Sequence, residues 1–440
     1  EWRAMFKFVV TEADRLGLEV NMNNDAGWSG SCGPWVPPDK AMQVVVATET
    51  RVPAGTKFEG ILPRPVSNAP YYRDIAVVAF PPSAQADLVN LEAKSVSWTY
   101  ISGYSTGTDR DAKIPADAVI PRDRIVDLTA LMKEDGRLQW DAPASTADWT
   151  VLRVGHTVSR SKTEPFPAGG EGLECDKLSK EALETHFNGM IGKLIADAGP
   201  LTGKSFVSVH VDSWENGAGN WTPKMREEFK RLRGYDIIPF LPVLTGRFID
   251  SVDVTERFLW DLRQTASDLL EENYIGHLAK LAHDRGLRLS METYGTPSLD
   301  MDVVNHVDEP MCEFWWSGGG RLNWTMKAMA SAAHVNGRPV VGAEAFTSNR
   351  RERWTGHPAS IKARGDRIFC EGVNRFVIHR YAMQPWAEDR RPGVSMGPYG
   401  LHYERTQTWW EESKAWHQYL ARCQYMLRQG LFVADVLSLQ

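Results

Sequence analysis

The strongest constraint on the fold is an alternation of strand and helix patterns that runs from residue 178 to the end of the chain. Short apolar runs are each followed by a longer segment with apolar side chains at helical spacing. Strands are predicted at 205–215, 288–295, 310–316, 339–346 and 373–381, and helices at 178–199, 223–233, 256–285, 323–335, 358–371 and 407–428. Such a series favours a parallel sheet, because each helix carries the chain back to the start of the next strand.

Two further segments extend the series. Residues 3–16 have helical spacing and end at Gly17, and residues 18–25 then follow the pattern of a strand. An apolar run at 432–439 adds a last strand. The resulting seven strands predict an α/β fold, a (β/α)₈ barrel of the TIM type without its first strand. A doubly wound sheet is the alternative, but the Gly-rich phosphate loop typical of it is missing from the sequence.

Between residues 41 and 158 the apolar side chains recur at every second position instead, and Pro, Gly and Asp separate the segments. This pattern is typical of antiparallel strands joined by turns. We therefore predict three parts: residues 1–43 begin the barrel, residues 44–158 form an inserted β-sandwich-like domain, and residues 159–440 complete the barrel.

Composition narrows the classes of function. The 50 Lys and Arg and 56 Asp and Glu give a formal charge of -6, and the basic residues are scattered, so we expect neither nucleic acid nor a membrane surface as a partner. No apolar run reaches the roughly 20 residues of a membrane span. The five cysteines lack paired spacing and are predicted to be buried thiols. The 17 Trp exceed what a core needs, which indicates rings that stack on a sugar.

Nearly every predicted strand ends in a polar, usually acidic residue. The strand ends of a (β/α)₈ barrel open on one face, so these side chains would converge on one pocket. Taken singly, each could equally be a solvated carboxylate or a helix cap. Taken in series they predict a site, because crowded carboxylates repel one another. The polar residues at the strand ends are Asp25, Asp212, Glu215, Glu292, Glu313, Glu344 and His379.

Tryptophans accompany these acids along the chain. Indole faces suit the C–H faces of a sugar, while carboxylates hydrogen-bond its hydroxyls. Some of the rings would instead pack under the rim of the barrel, and His379 could equally be a structural residue. The predicted substrate-binding residues are Asp25, Trp28, Asp212, Trp214, Glu292, Trp315, His379 and Trp386.

Motifs along the whole chain resemble those of glycoside hydrolase family 106, the α-L-rhamnosidases. The motifs, in their order, are residues 21–43, 170–192, 209–236, 289–297, 308–316, 341–348 and 374–386. The resemblance implies a (β/α)₈ catalytic barrel with inserted and C-terminal β domains, an inverting mechanism and a calcium ion near the sugar. Against this pattern the chain lacks the first barrel strand and everything after the last, so we expect it to be a segment of a longer protein.

The resemblance also implies roles for three carboxylates. Glu215 in the DSWE motif matches the catalytic acid, Glu344 in GAEAF the base, and Glu313 in CEFWW a third essential carboxylate. The acid and base could be reversed. The resemblance does not carry over the calcium ligands, but a hard cation needs clustered oxygens, for which Asp25, Asp212 and Glu292 are the candidates.

The sequence therefore predicts an exo-acting, inverting α-L-rhamnosidase that releases terminal rhamnose from plant-type glycans or glycosides. The partner is a carbohydrate substrate. One alternative is a hydrolase of another deoxy or pentose sugar on the same fold, and another is a carbohydrate-binding protein without turnover. Localisation stays open, although a periplasmic or secreted location fits the degradation of glycans.

Overall fold

A six-stranded parallel sheet forms the centre of the fold in the computed structural model, with the strands side by side in chain order. The structure describes residues 1–28, 30–68, 70–84, 88–97, 113–159, 161–162, 164–295, 301–318, 320, 323–386, 390–397 and 399–436. The six strands, called first to sixth below, are Val20–Asn23, Phe206–Val211, Arg288–Glu292, Glu309–Ser317, Gly342–Ser348 and Arg375–Ile378. Four of these strands lie within predicted ones, whereas Glu309–Ser317 and Gly342–Ser348 extend one or two residues beyond the predicted ranges 310–316 and 339–346.

Helices connect the strands, as the 3.6-residue spacing predicts. Two predicted helices are interrupted: the first breaks at Met190, and the second passes through a π-helical segment at Leu270–Ile275. The α-helices are Trp2–Leu16, Leu91–Lys94, Lys180–Gly189, Ile191–Ala198, Met225–Arg233, Val252–Leu269, Gly276–His283, Thr325–Val335, Pro358–Cys370 and Ser413–Leu427.

The N-terminal helix shows how the sequence sets such an element. Phe6, Val10 and Ala13 recur at helical spacing and are buried, while the opposite side of the helix is exposed. Phe6 packs edge-on against Phe206 at the start of the second strand, with ring centroids 5.4 Å apart. The helix ends at Gly17, whose φ of 67° is the left-handed conformation that glycine adopts without steric cost.

The prediction of a seventh strand at 432–439 is wrong over residues 432–436, which form no strand; residues 437–440 lie outside the described part. Phe432, Val433 and Val436 are exposed there, so the apolar run is not buried in a sheet. The parallel sheet is a curled half-barrel. Its outermost strands in the described residues are Val20–Asn23 and Arg375–Ile378.

Antiparallel strands occupy the chain between Gln43 and Val158. Trp149–Val158 pairs along its whole length with Gln43–Val52 on one side, and its residues 150–157 pair with Tyr72–Phe80 on the other. The short strand Val126–Asp127 completes this sheet, and Lys57–Ile61 pairs with Arg137–Asp141 in a second one. All ten residues of Trp149–Val158 are buried. The three-part division of the chain stays a prediction.

The antiparallel sheet packs against the part of the chain that carries the parallel sheet. Val78 and Leu152 join a hydrophobic core with Phe240 and Phe248 from the segment that follows the second parallel strand. Strand Phe248–Ile249 also pairs in parallel with Val119–Ile120. The two parts thus share a core and a backbone pairing.

Two further expectations concern cysteines and membrane helices. Cys32, Cys175 and Cys312 are buried as predicted, whereas Cys370 is exposed at the end of its helix. Among the described residues, every helix is too short or too polar to cross a membrane.

Candidate active site

The carboxyl ends of the parallel strands bring five acidic side chains to one edge of the sheet. Glu292 and Glu313 lie on the third and fourth strands, Glu344 on the fifth, and Asp212 and Glu215 directly after the second. Glu313 and Glu344 are opposite each other across the pairing of the fourth and fifth strands. The topology therefore gathers residues that are up to 132 positions apart in the sequence.

The proximity of these carboxyl groups changes their acidity. Burial raises the pKa of Glu344 well above its usual value, and the charge of Glu313 raises it further. Burial and the charge of Asp212 do the same for Glu292. The pKa of Glu313 is also raised, chiefly by burial. Such groups hold protons at a pH where ordinary carboxyl groups have lost them, which is the property of acid–base sites.

One phenol group joins two of these acids. The Tyr294 hydroxyl, fully buried, lies 2.6 Å from Glu292 Oε2 and 2.7 Å from Glu313 Oε2. A hydroxyl has one hydrogen, so it can donate to only one carboxylate at a time. The other contact is a hydrogen bond only when that carboxyl group is protonated and donates to the phenol oxygen. The geometry thus favours a proton shared among the three groups.

Glu215 accepts hydrogen bonds from two side chains, one in the loop of Trp28 and one in its own loop. Trp28 Nε1 donates to Glu215 Oε2 at 2.8 Å, and Ser213 Oγ donates to Oε1 at 3.0 Å. The indole N–H can only donate, whereas a hydroxyl can also accept. Glu215 can therefore hold a proton on Oε1, with Ser213 turned round as the acceptor, without losing the bond from Trp28.

Glu344 has a hydroxyl and an imidazole beside it. Thr347 Oγ1 donates to Glu344 Oε1, and His379 Nδ1 lies 3.5 Å from the same oxygen. Burial lowers the pKa of His379 to about 4, so the imidazole is neutral near pH 7. The negative charge of Glu344, when it is present, is therefore not neutralised by this histidine.

The predicted tryptophans divide into three environments. Trp28 and Trp315 are half-buried and donate to the acids Glu215 and Glu313. Trp386 is 48% exposed and has the Arg390 guanidinium 5.8 Å from its ring centroid. Trp214 is only 5% exposed, and its indole donates to Gly217 O at 2.6 Å. Trp214 thus packs beneath its loop, and its contact with the sugar stays a prediction.

The structure also separates Asp25 from the other predicted residues. Its carboxyl group is 3% exposed and accepts from the backbone N–H groups of Gly27 and Cys32, each at 3.3 Å. Burial and the charge of Glu174 raise its pKa to about 6. Asp25 therefore organises its own loop, and its role in sugar binding stays a prediction.

Within the described part of the chain, two groups of side chains could offer ligands to a metal ion, and the predicted set does not form either of them. Asp25 lies with Cys32 and Glu174, while Asp212 and Glu292 lie with His210. Hard cations prefer oxygen ligands. The first group fits calcium poorly because it contains a thiol and the Lys177 ammonium already pairs with Glu174. The second offers two carboxylates and fits better.

Several residues around the acids escaped prediction. Tyr294 stands two positions after Glu292, a spacing that places two side chains on the same face of an extended chain, and that signal was present in the sequence. Ser213 and Thr347 also stand within three positions of a predicted acid. Glu174 gave no such signal, because it reaches the site only through contacts with distant loops.

A parallel α/β sheet whose strand ends gather carboxylates and indole rings is typical of glycoside hydrolases. Comparison with known proteins agrees and is more specific. The chain belongs to glycoside hydrolase family 106, because the family model described as alpha-L-rhamnosidase matches residues 1–87 and 68–440.

Two relatives show how far the likeness extends. The structure of a rhamnosidase from Novosphingobium sp. PP1Y superposes with a TM-score of 0.84 at 27% identity, over 98% of this chain and 54% of that one. A protein of Formosa agariphila named "Putative beta-glucuronidase" is 42% identical over 438 residues, which are 99% of this chain and 37% of the relative. The chain thus spans between about a third and somewhat more than half of their lengths.

Proposed function

We propose that the protein is an exo-acting, inverting α-L-rhamnosidase that releases terminal rhamnose from plant-type glycans or glycosides. The observation that carries the proposal is the gathering of Glu215, Glu313 and Glu344 at one edge of the sheet in a chain of family 106. Carbohydrate binding without turnover would have little use for crowded acids, because keeping them together costs free energy.

The proposed mechanism assigns one proton transfer to each of two glutamates. Inversion needs a carboxylic acid that protonates the leaving oxygen and a carboxylate across the ring that activates water, at a separation of roughly 6.5–9.5 Å. Glu215 is the acid, and its proton resides on Oε1 beside Ser213. Glu344 is the base, oriented by the hydrogen bond from Thr347. The indole of Trp28 fixes Glu215 from the other oxygen.

Glu313 supports this pair from the same edge of the sheet. It accepts hydrogen bonds from Trp315 Nε1 and from the Tyr294 hydroxyl. The first bond holds the Trp315 indole beside Glu313, and the second links Glu313 to Glu292 through one shared proton. Besides burial, the charge of Glu313 raises the pKa of Glu344, so the base ionises more readily when Glu313 holds a proton.

A calcium ion is part of the proposal, with Asp212 and Glu292 as its protein ligands. Their oxygens lie within 4.8 Å of each other, in one group with a ring nitrogen of His210. Calcium would supply positive charge that polarises sugar hydroxyls. Glu292 would then bind the ion as a carboxylate, and the Tyr294 hydroxyl could donate its hydrogen to Glu313 alone.

We also propose that the half-barrel is part of a (β/α)₈ barrel. Six parallel strands in chain order are two short of the eight that close such a barrel. The additional strands would pair with Val20–Asn23 and Arg375–Ile378, which are the edges among the described residues.

A second candidate function differs from the first in the sugar that is released. The relative from Formosa agariphila carries the name of a glucuronidase, which favours a uronic acid as an alternative to rhamnose. A panel of aryl α-L-rhamnoside, α-L-arabinoside, α-L-fucoside and β-D-glucuronide, tested on the intact protein, distinguishes these possibilities. Rhamnoside turnover with a β-configured first product, followed by NMR, is expected; turnover of another glycoside alone, or binding without turnover, would reject the proposal.

A further inference from the structure

A fully buried carboxylate beneath the site has no role in the mechanism above. Glu174 belongs to a two-residue strand that pairs with Cys32 and Gly33, and its exposure is 0%. Its two oxygens accept four hydrogen bonds. The donors are Ser31 N at 3.1 Å, Cys32 Sγ at 2.7 Å, Asn216 Nδ2 at 2.9 Å and the Lys177 ammonium.

Three of these four donors come from segments that border Glu215. Ser31 and Cys32 belong to the loop that carries Trp28, and Asn216 follows Glu215 directly. The same two loops meet again where Trp28 donates to Glu215 at 2.8 Å. The two loops are therefore joined at two points, by the hydrogen bond between Trp28 and Glu215 and by the hydrogen bonds to Glu174.

Lys177 connects Glu174 to a further side chain near Glu215, that of Trp214. Its ammonium pairs with Glu174 and lies 4.5 Å from the centroid of the Trp214 ring and 5.5 Å from that of Tyr274. Trp214 directly precedes Glu215. Buried ion pairs tolerate the loss of one partner badly, because the remaining charge is left uncompensated. The position of the DSWE motif thus depends on an intact pair.

We propose that Glu174 is a positioning residue that holds Glu215 in place for proton transfer, through Asn216 and through the loop of Trp28. The inference rests on the proposed function for the role of Glu215. Because Glu174 acts through another residue, its loss should weaken protonation of the leaving oxygen more than any other step.

Glu174→Gln tests this role in the intact protein. The amide nitrogen is a donor and faces other donors, so at least one of the four bonds is lost. We expect kcat to fall roughly 10-fold on a rhamnoside with a poor leaving group and much less on an activated aryl rhamnoside, with KM little changed. This is a fraction of the 10²–10⁴-fold that general acid catalysis supplies.

Two further variants separate positioning from stability. Glu256→Gln breaks another buried ion pair, with Lys94, and should lower the melting temperature without changing the dependence on the leaving group. Adding Lys177→Met to Glu174→Gln removes the unpaired ammonium. This double variant should regain melting temperature yet keep its dependence on the leaving group. Recovery of both properties would show a merely structural role and overturn the proposal.

A readout that needs no turnover distinguishes failure of this inference from failure of the proposed function. In protein labelled with ¹⁵N-tryptophan, Trp28→Phe identifies the indole N–H signal that reports the bond to Glu215. Glu174→Gln should move this signal and Glu256→Gln should not. An unmoved signal overturns the positioning role whatever the activity. A moved signal in a protein inactive on every rhamnoside would reject the proposed function and leave the positioning of the Trp28–Glu215 contact supported.

Discussion

Glu313 and Glu344 lie side by side because they are direct partners on neighbouring parallel strands. Side chains at paired positions of such strands point to the same side, so these two carboxyl groups are held together by the backbone itself. Burial adds to their mutual repulsion, and the pKa values of both are raised. The pair can relax only by taking up a proton, a cation or a substrate.

The first prediction separates the acid from the base. Glu215→Gln keeps an oxygen that accepts from Trp28 but cannot give a proton. Hydrolysis of substrates with poor leaving groups should therefore fall about 10²–10⁴-fold, whereas activated aryl rhamnosides should be partly spared. Steady-state kinetics on both kinds of substrate, with circular dichroism to verify folding, measure the difference.

Glu344→Gln should behave differently, because it removes the base that activates water. Activity should fall on both kinds of substrate, and azide should restore turnover with an inverted product, since the anion attacks without a base. Exchanged phenotypes of the two variants would reverse the roles of Glu215 and Glu344. Full activity of both variants on both substrates would exclude the pair from the mechanism.

A third prediction concerns the shared proton at Tyr294. Tyr294→Phe removes the hydrogen bond that lowers the pKa values of Glu292 and Glu313. These values should rise further, so both groups keep their protons to higher pH and the base Glu344 loses its proton more readily. The acidic limb of the pH–activity profile should therefore move to lower pH by roughly one unit. The control is Tyr403→Phe, which removes another buried hydroxyl, hydrogen-bonded to His417. An unchanged limb in Tyr294→Phe would refute the shared proton.

The sequence was sufficient to predict the six central strands and the acids at their ends. The spacing of apolar residues and the order of the strands along the chain are visible in the sequence. A parallel sheet then places the carboxyl ends of its strands next to one another. The 432–439 run shows the limit of this reasoning, because apolar residues alone do not supply a pairing partner. Residues 432–436 remain exposed for that reason.

Side-chain direction was harder to predict than strand position. Trp214 is adjacent to Glu215 in the sequence, yet it packs underneath because its indole bonds Gly217 and lies against Lys177. Asp25 stands two residues after the first strand and accepts from the backbone of its own loop. The conformation of each loop decides both cases, and the strand and helix patterns of a single sequence do not specify it.

A fourth prediction uses the buried Asp176 as a probe of stability. It accepts hydrogen bonds from Thr222 Oγ1 at 2.7 Å and from Leu178 N at 3.0 Å, and burial raises its pKa from 3.8 to about 7. Between those pH values the folded chain keeps a proton that the unfolded chain has lost. This group therefore lowers the free energy of unfolding as the pH rises from about 4 to about 7, by up to about 4 kcal/mol.

Asp176→Asn should remove that loss, because asparagine does not titrate. Denaturant unfolding of both proteins at pH 4.5, 6 and 8 gives the difference in their unfolding free energies. We expect the difference to move in favour of the variant as the pH rises and to level off above about pH 7. A constant difference over this range would show that Asp176 is ionised in the folded protein at all three values.

The last prediction concerns calcium and follows from the separation of the two acidic groups. Asp212 lies with Glu292 and His210, whereas Asp25 lies with Cys32 and Glu174, next to the Lys177 ammonium. A divalent ion needs oxygen ligands that are free of a competing cation. Calcium should therefore raise the melting temperature of the chelated wild-type protein and of Asp25→Asn, but not of Asp212→Asn. Comparing each variant with and without the ion removes any general loss of stability from the result. An equal calcium-induced shift in both variants would exclude Asp212 as a ligand, and the absence of any shift in the wild-type protein would remove calcium from the proposed mechanism.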